Sequence, residues 1–250
     1  MSGHSKWATI KRKKEATDSK RANAFTKVTR EIIVAAKSGG GDPDHNFRLR
    51  LAVMKAKEVN MPNDNIQRAI KRGSGESSDA AQFEEVYYEG YGPGGVALLV
   101  QALTDNRNRT AGEMRYIFSR NNGNLGEAGC VGWMFAAKGV IGIDAAQIKK
   151  TEDELFELVV EAGAEDLKNN DETFEVYTEP GQLEAVRKFL EEKNIPAKTV
   201  ENMMIPQNTV EIVGEQVEQV LKLVDALEDN DDVQNVYGNF EIPDAELEKM

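Results

Sequence analysis

The apolar period of this chain changes once, and the change divides it into a helical beginning and a sheet-bearing remainder. Between residues 16 and 73 apolar side chains recur at helical spacing; from Phe83 onward short β-rich runs alternate with helical ones. Two periods imply more than one core, and 250 residues leave room for two or three domains. The boundary, residues 74–80, reads Ser-Gly-Glu-Ser-Ser-Asp-Ala, a linker composition.

In the first part, residues 16–37 place Phe25, Val28, Ile32, Ala35 and Ala36 on one helical stripe. A rotation of about 100° per residue puts Lys20, Lys27, Arg30 and Lys37 on the opposite, solvent-facing side. Arg21 falls at the apolar edge, where its stem can lie along the surface. Glycines 39–41 and Pro43 stop this helix. A second helix, residues 44–60, carries Phe47, Leu49, Leu51, Val53, Met54 and Val59 around most of its axis. That distribution predicts the buried member of a small bundle. Pro62 opens a third helix, Ile66, Ala69 and Ile70 give it a stripe, and Gly73 ends it. Arg68, Lys71 and Arg72 project from it.

Beyond the linker, residues 83–89 and 96–103 read as strands, 109–121 as a helix with a Thr110/Glu113 capping box, and 131–136 as a strand. Residues 139–205 then run strand (140–143), helix (151–162), strand (165–168), strand (173–177), helix (181–192), strand (197–204). That is the β-α-β-β-α-β order of ferredoxin-like domains. A helix (215–228) and a strand (233–240) follow and complete the interrupted element set before the insertion. The expected fold is a multi-domain α+β protein: a small N-terminal helical bundle at 1–78 and two ferredoxin-like α+β domains, one inserted in the other. The inserted domain spans 139–205; the discontinuous one spans 79–138 and 206–243. Three sequential domains are the alternative.

Charge divides along the same line. Residues 1–72 hold 17 Lys/Arg against 7 Asp/Glu, whereas the whole chain has 31 against 43 and a net charge of −12. Residues 73–250 therefore carry 14 Lys/Arg and 36 Asp/Glu, a balance of −22. A cationic segment on an acidic body points to a polyanion met at one end, and makes nucleic acid the leading partner. Screening lets the two coexist, because at physiological salt the Debye length is about 8 Å. No apolar run reaches the roughly 18–20 residues of a membrane span, and Ser2-Gly3-His4-Ser5-Lys6 lacks the apolar stretch of a secretory signal. The single cysteine, Cys130, forms no internal disulfide and suits a reducing compartment. The expectation is a cytoplasmic monomer with no membrane partner and no small-molecule substrate.

Motifs of catalysis and cofactor binding fail on their context. Gly90, Gly92 and Gly95 match G-x-G-x-x-G, but a β-rich run follows where a dinucleotide site needs a helix, and Pro93 removes an N–H. A strand-to-strand connection is the better reading. His4, His45 and Cys130 are too few and too scattered for zinc. The acidic run Glu228, Asp229, Asn230, Asp231, Asp232 lacks the glycine and terminal glutamate of a calcium loop and reads as a solvated turn. His4 lies beside Ser5 in the arm, and His45 beside Asp44 near a helix start reads as a local surface contact; neither asks for nucleophilic or acid–base catalysis. No catalytic residue, metal or cofactor is expected.

The basic arm is the candidate contact. Lys6, Lys11, Arg12, Lys13 and Lys14 flank Trp7, and Lys20, Arg21, Lys27 and Arg30 continue along the helix. Such cations neutralise phosphates, while an indole can stack on an unpaired base or a ribose. The competing reading is a solubilising tail with Trp7 packed on the bundle. A second cationic group, Arg107 and Arg109 with Arg115 and Arg120, surrounds the helix at 109–121. It reads either as a second nucleic-acid contact or as capping and surface ion pairs.

These residues carry a family resemblance. Gly3-His4-Ser5-Lys6-Trp7, Gly39-Gly40-Gly41-Asp42-Pro43, Tyr88-Glu89-Gly90-Tyr91-Gly92-Pro93-Gly94-Gly95, Thr104-Asp105-Asn106-Arg107-Asn108-Arg109-Thr110 and Gly123-Asn124-Leu125-Gly126 closely resemble the YebC family over essentially the full chain. The resemblance implies a cytoplasmic bacterial protein with a helical N-terminal domain and two α+β domains. It implies either a DNA-binding transcriptional regulator or a translation factor linked to ribosomes stalled on proline-rich stretches. On the first reading the helices at 44–60 and 62–72 would meet duplex DNA in helix-turn-helix fashion. On the second, the arm and Arg107/Arg109 would meet ribosomal RNA, with the ribosome as partner. An acidic adaptor whose lysines only solubilise it is the third.

Overall fold

The computed structural model describes residues 18–75, 82–170 and 172–247. It forms two compact units. Phe135–Gln207 is one; the chain up to Met134 and from Asn208 onward makes the other.

The larger unit begins with α1 (Asp18–Gly39), α2 (Phe47–Glu58) and α3 (Asn63–Gly73). The buried helix is α1, not α2 as its apolar distribution predicted. Ile32, Ile33, Val34, Ala35 and Ala36 are all buried, whereas α2 buries only Leu49, Ala52 and Ala56 and exposes Met54. A contiguous apolar run needs cover on more than one side, and α1 has it: α2 and α3 pack on it, and residues 228–232 lie along its polar edge. Asn46 joins the first two helices. Its Oδ1 accepts from Leu49 N at 3.0 Å as the α2 cap, and its Nδ2 donates to the Ala35 and Gly40 carbonyls, each at 2.8 Å.

Gly73 sits where α3 crosses α1. A Cβ there would lie 2.4 Å from the Ile33 carbonyl oxygen and 2.8 Å from Ala36 Cβ. Gly73→Ala gains about 1 kcal/mol of helix propensity, but overpacking costs about 1–3 kcal/mol when a backbone atom must move. The expected net result is a loss of up to about 2 kcal/mol in urea unfolding; a raised midpoint would show that the crossing relaxes freely.

Two strands follow, β1 (Glu84–Tyr91) and β2 (Ala97–Thr104), then α4 (Arg107–Arg120) and the short β3 (Asn124–Leu125). The Gly90/Gly92/Gly95 segment is the β1–β2 connection, closed by Gly92 N donating to Val96 O at 2.8 Å. Gly94 and Gly95 have φ of 72° and 75°, so the turn requires their freedom. Helix α4 starts two residues before its predicted start at 109. Asn106 caps it, accepting from Arg109 N at 3.1 Å, and Thr110 is buried instead of capping.

The smaller unit comprises β4 (Phe135–Asp144), α5 (Glu152–Glu161), β5 (Asp166–Asn169), β6 (Thr173–Thr178), α6 (Leu183–Glu192) and β7 (Thr199–Pro206). Its strand order β5-β6-β4-β7, antiparallel throughout, is that of a ferredoxin-like sheet. The strands predicted at 131–136 and 140–143 are one ten-residue strand that starts at Phe135. Residues 132–134 instead form a 3₁₀ turn, because Glu89 takes the N–H groups of Val131 and Gly132.

The chain returns to the larger unit with β8 (Val210–Glu211), α7 (Glu215–Glu228), β9 (Val233–Gly238), β10 (Phe240–Glu241) and α8 (Asp244–Leu247). Its main sheet runs β3-β1-β2-β9, all antiparallel. Helices α4 and α7 cover one face through Met114, Phe118, Val220, Leu223 and Val224 against Leu98, Val100 and Val236. The fold class is the expected one, α+β, with helices first and antiparallel sheets after them.

Candidate nucleic-acid interface

Of the predicted contact residues, Lys6, Trp7, Lys11, Arg12, Lys13 and Lys14 lie outside the described residues. Lys20 and Arg21 belong to α1, with side chains outside the described set. Lys27, Arg30, Arg107 and Arg109 are described, and three of these four are bonded to one acidic run of the chain.

Their common target is the acidic run at the end of α7. Lys27 Nζ donates to the Glu228 carbonyl, and Asn23 Nδ2 reaches the Asp229 carbonyl at 3.5 Å. Arg30 pairs with Asp232 Oδ1, donates to Asp231 O at 2.6 Å and Leu103 O at 3.3 Å, and stacks over Phe83 with 5.3 Å to the ring centre. Arg109 Nη2 holds Asp232 Oδ2 at 2.8 Å and Asp105 at 3.0 Å. Thr110 Oγ1 donates to Asp232 Oδ2 at 2.6 Å. Side-chain exposure falls to 4 % at Asp232 and 15 % at Arg30, against 43 % at Arg109.

This corrects two expectations. The edge of α1 bearing Lys27 and Arg30 is not a solvent face, and the run 228–232 is not simply a solvated turn. Burial opposes the charge of Asp232, yet hydrogen bonds from Arg109, Thr110 and Arg30 outweigh it and hold the carboxyl below the usual Asp pKa. Asp232 joins α1, α4 and β9. Sequence could not pair it with Arg30, 202 positions away; a buried Asp beginning a strand leaves no periodic signal. Arg107 behaves differently. It stays exposed and meets Glu84 at 3.6 Å, a surface pair of small energetic weight.

Cationic side chains remain on view on α4, at Arg107, Arg115 and Arg120, and more densely on α2 and α3. Arg48, Lys57, Arg68, Lys71 and Arg72 are exposed there. Gln67, Arg68 and Lys71 share one face of α3 with Asp64 and line an open depression of about 530 Å³. Arg68 is oriented by its own helix, through Asn65 Oδ1 and, at 3.3 Å, Asp64 O. Only the outward projection of Arg68, Lys71 and Arg72 was readable from the stripe opposite them.

Among the described residues no group of three His, Cys, Asp or Glu side chains is arranged to hold a metal ion, and no helix is long and apolar enough to cross a membrane. His45 Nδ1 lies 2.6 Å from Asp42, a local contact in the α1–α2 turn.

A basic three-helix part joined to antiparallel α+β sheets, one of them interrupted by the other, defines a class of modular α+β proteins. Residues 5–76 match the family described as "TACO1/YebC protein N-terminal domain", and residues 83–240 match "TACO1/YebC second and third domain". The chain belongs to the TACO1/YebC family. It is 57 % identical over 249 residues to a protein of Natranaerobius thermophilus, covering 99 % of each, and 57 % identical over 250 residues to one of Trichlorobacter lovleyi, covering all of each. Both relatives bear the name "Probable transcriptional regulatory protein", a regulator's name and not an enzyme's. A crystal structure of a conserved hypothetical protein from Aquifex aeolicus is 48 % identical, with a TM-score of 0.82 over 91 % of this chain and 93 % of that one.

Proposed function

We propose that this chain is a non-enzymatic, nucleic-acid-binding regulator of gene expression, and that its first target is duplex DNA. The supporting observation is the pair α2–α3. Two helices follow each other across the short connection at residues 59–62, and the second exposes Gln67, Arg68 and Lys71 along one face. Gln and Arg on the second helix of such a pair are groups that read base edges in a major groove. The relatives' names agree with this reading. In this proposal residues 1–78 bind nucleic acid. The discontinuous domain (79–138 with 206–243) supports them through Asp232, and 139–205 is the inserted domain. The protein acts in the cytoplasm as a monomer.

A second reading is a translation factor that contacts ribosomal RNA and relieves stalling on proline-rich sequences. It has one observation in its favour: Trp133 shows 66 % of its surface to solvent, and exposed aromatic rings are how proteins take hold of unpaired RNA bases. Crosslinking in cells followed by sequencing of the attached nucleic acid tests both. Promoter DNA that disappears when Gln67, Arg68 and Lys71 are all changed to Ala supports the first; ribosomal RNA overturns it in favour of the second. Recovery of neither sinks nucleic-acid binding and leaves the acidic adaptor.

A further inference from the structure

Helix α4 carries an internal glycine that no described packing contact requires. Gly112 is exposed in the middle of the helix, and a Cβ added to it would meet no atom within 4 Å. Glycine is the poorest helix former after proline, so an alanine here would favour the folded chain. Gly73, by contrast, stands where α3 crosses α1. On a helix surface the neighbours of a residue lie three and four positions away. For Gly112 these are Asn108, Arg109, Arg115 and Tyr116, all exposed and none acidic. They rim a shallow dent whose floor is bare backbone. The nearby carboxylates are occupied: Glu113 accepts from Asn230 Nδ2 at 2.8 Å and lies 3.8 Å from Arg109 Nε, and Asp105 is held by Arg109 at 3.0 Å. Residues 114–126 contain Arg115 and Arg120 and no Asp or Glu.

We propose that the outer face of α4 at Gly112 is a phosphate seat, a second contact to the backbone of the DNA duplex that α3 engages. The proposal rests on the nucleic-acid-binding reading above and adds to it a site outside the arm and the α2–α3 pair. Of the five arginines beyond the linker, Arg107, Arg109 and Arg187 meet carboxylates. Arg115 and Arg120 are exposed and pair with no carboxylate among the described residues. Where acidic residues outnumber basic ones so heavily, two such guanidiniums are available to an outside anion. A rotation of about 100° per residue places Ser119 and Tyr116 between Arg115 and Arg120, so two guanidiniums flank two hydroxyls. All four groups can donate, and the bare backbone at Gly112 lets a phosphate approach closely. A duplex fits this face better than an acidic protein segment does. Protein partners gain affinity from apolar anchors, and Tyr116 is the one exposed large apolar side chain described on α4. A backbone of phosphates needs only cations and donors. Arg30 of α1 and Arg109 of α4 hold the same Asp232 carboxylate, which fixes the seat relative to the helical part. A rigid duplex that engages both requires no rearrangement between them.

The test titrates the full chain with a blunt DNA duplex, an RNA hairpin and poly-glutamate, following anisotropy over a range of salt concentrations. Changing Arg115 and Arg120 together to Ala removes two phosphate contacts. The slope of log K against log salt should fall by about 1.8, a loss of about thirtyfold at 0.15 M salt, with the thermal midpoint unmoved. Gly112→Leu fills the dent. It should weaken the duplex about fivefold, the effect of one lost contact at the same salt, while the midpoint holds or rises. A glycine that served the fold alone would not lose affinity as it gained stability. Unchanged affinity and slope in both variants overturn the seat; the nucleic-acid reading survives if changing Gln67, Arg68 and Lys71 to Ala still weakens the duplex. Loss in the double arginine variant with none in Gly112→Leu also overturns the seat and leaves a diffuse cationic face. An RNA hairpin that depends on Gly112 while the duplex does not overturns the assignment to DNA. The same pattern with poly-glutamate overturns the assignment to phosphate. If the natural chain does not bind the duplex or the hairpin at any salt concentration, the nucleic-acid reading itself fails and the seat with it.

Discussion

Asp232→Ala should destabilise the larger unit by about 3 kcal/mol, since removing one partner of a buried ion pair typically costs about 3–5 kcal/mol and Arg109 keeps partial access to water. Asp232 is 4 % exposed, and its carboxylate meets two guanidinium groups and a hydroxyl. Without it, Arg30 stays largely buried with only carbonyl acceptors, and Thr110 loses one of its three acceptors. Urea unfolding measures the loss. Arg30→Ala should cost less, because Asp232 keeps Arg109. The double variant should cost clearly less than the two single losses added, the mark of a shared network. Strict additivity would mean that α1 is held by its apolar contacts alone.

The same site gives a pH signature whose sign is fixed. The folded pKa of Asp232 lies below its ordinary value, so its contribution is complete above the unfolded pKa of about 3.9. It is lost as pH falls through the folded value. The stability difference between the natural chain and Asp232→Asn should therefore be flat from about pH 5 to 8 and should shrink below about pH 4. A difference that grew toward acid would require another group to be in control.

What was legible in the sequence was local. Helix α7 runs over the predicted residues 215–228, because its apolar spacing is long and both ends are marked. The β-α-β-β-α-β order of the smaller unit was readable because each element completes its own period. The errors arise where a distant partner decides. Helix α2 has the apolar content of a buried helix, but the body of the larger unit packs against α1 and leaves α2 outside. Thr110 has the spacing of a cap, yet Asp232 draws it inward while Asn106 takes the cap. Residues 131–134 have strand composition, but Glu89 removes the N–H groups that a ladder would need. The charge split was correct as arithmetic and incomplete as a map. Lys27 and Arg30 count toward the basic segment while serving the acidic run at 228–232. Trp133 escaped notice because an indole followed by Met134 and Phe135 reads as core. The small residues before it were the available sign.

That redistribution of charge sharpens what the basic arm must do. With Lys27, Arg30 and Arg109 paired to the acidic run, binding of a polyanion falls to the N-terminal arm and the exposed cations of α2, α3 and α4. Changing Lys11, Arg12, Lys13 and Lys14 together to Ala should then weaken binding to duplex DNA strongly. Each phosphate contact contributes about 0.9 to the slope of log K against log salt, so four contacts contribute about 3.6. At 0.15 M salt that corresponds to a loss on the order of a thousandfold, with the slope flattened by the same 3.6 or so. The thermal midpoint should not move, because all four residues are charged types that seldom contribute to a core. Arg30→Ala and Asp232→Ala should show the reverse, a lowered midpoint with little change of slope. The two variant sets therefore separate cations that hold the protein together from cations that hold a ligand. An unaltered slope in the fourfold variant would move the contact off the arm and onto Arg68, Lys71 and Arg72 of α3.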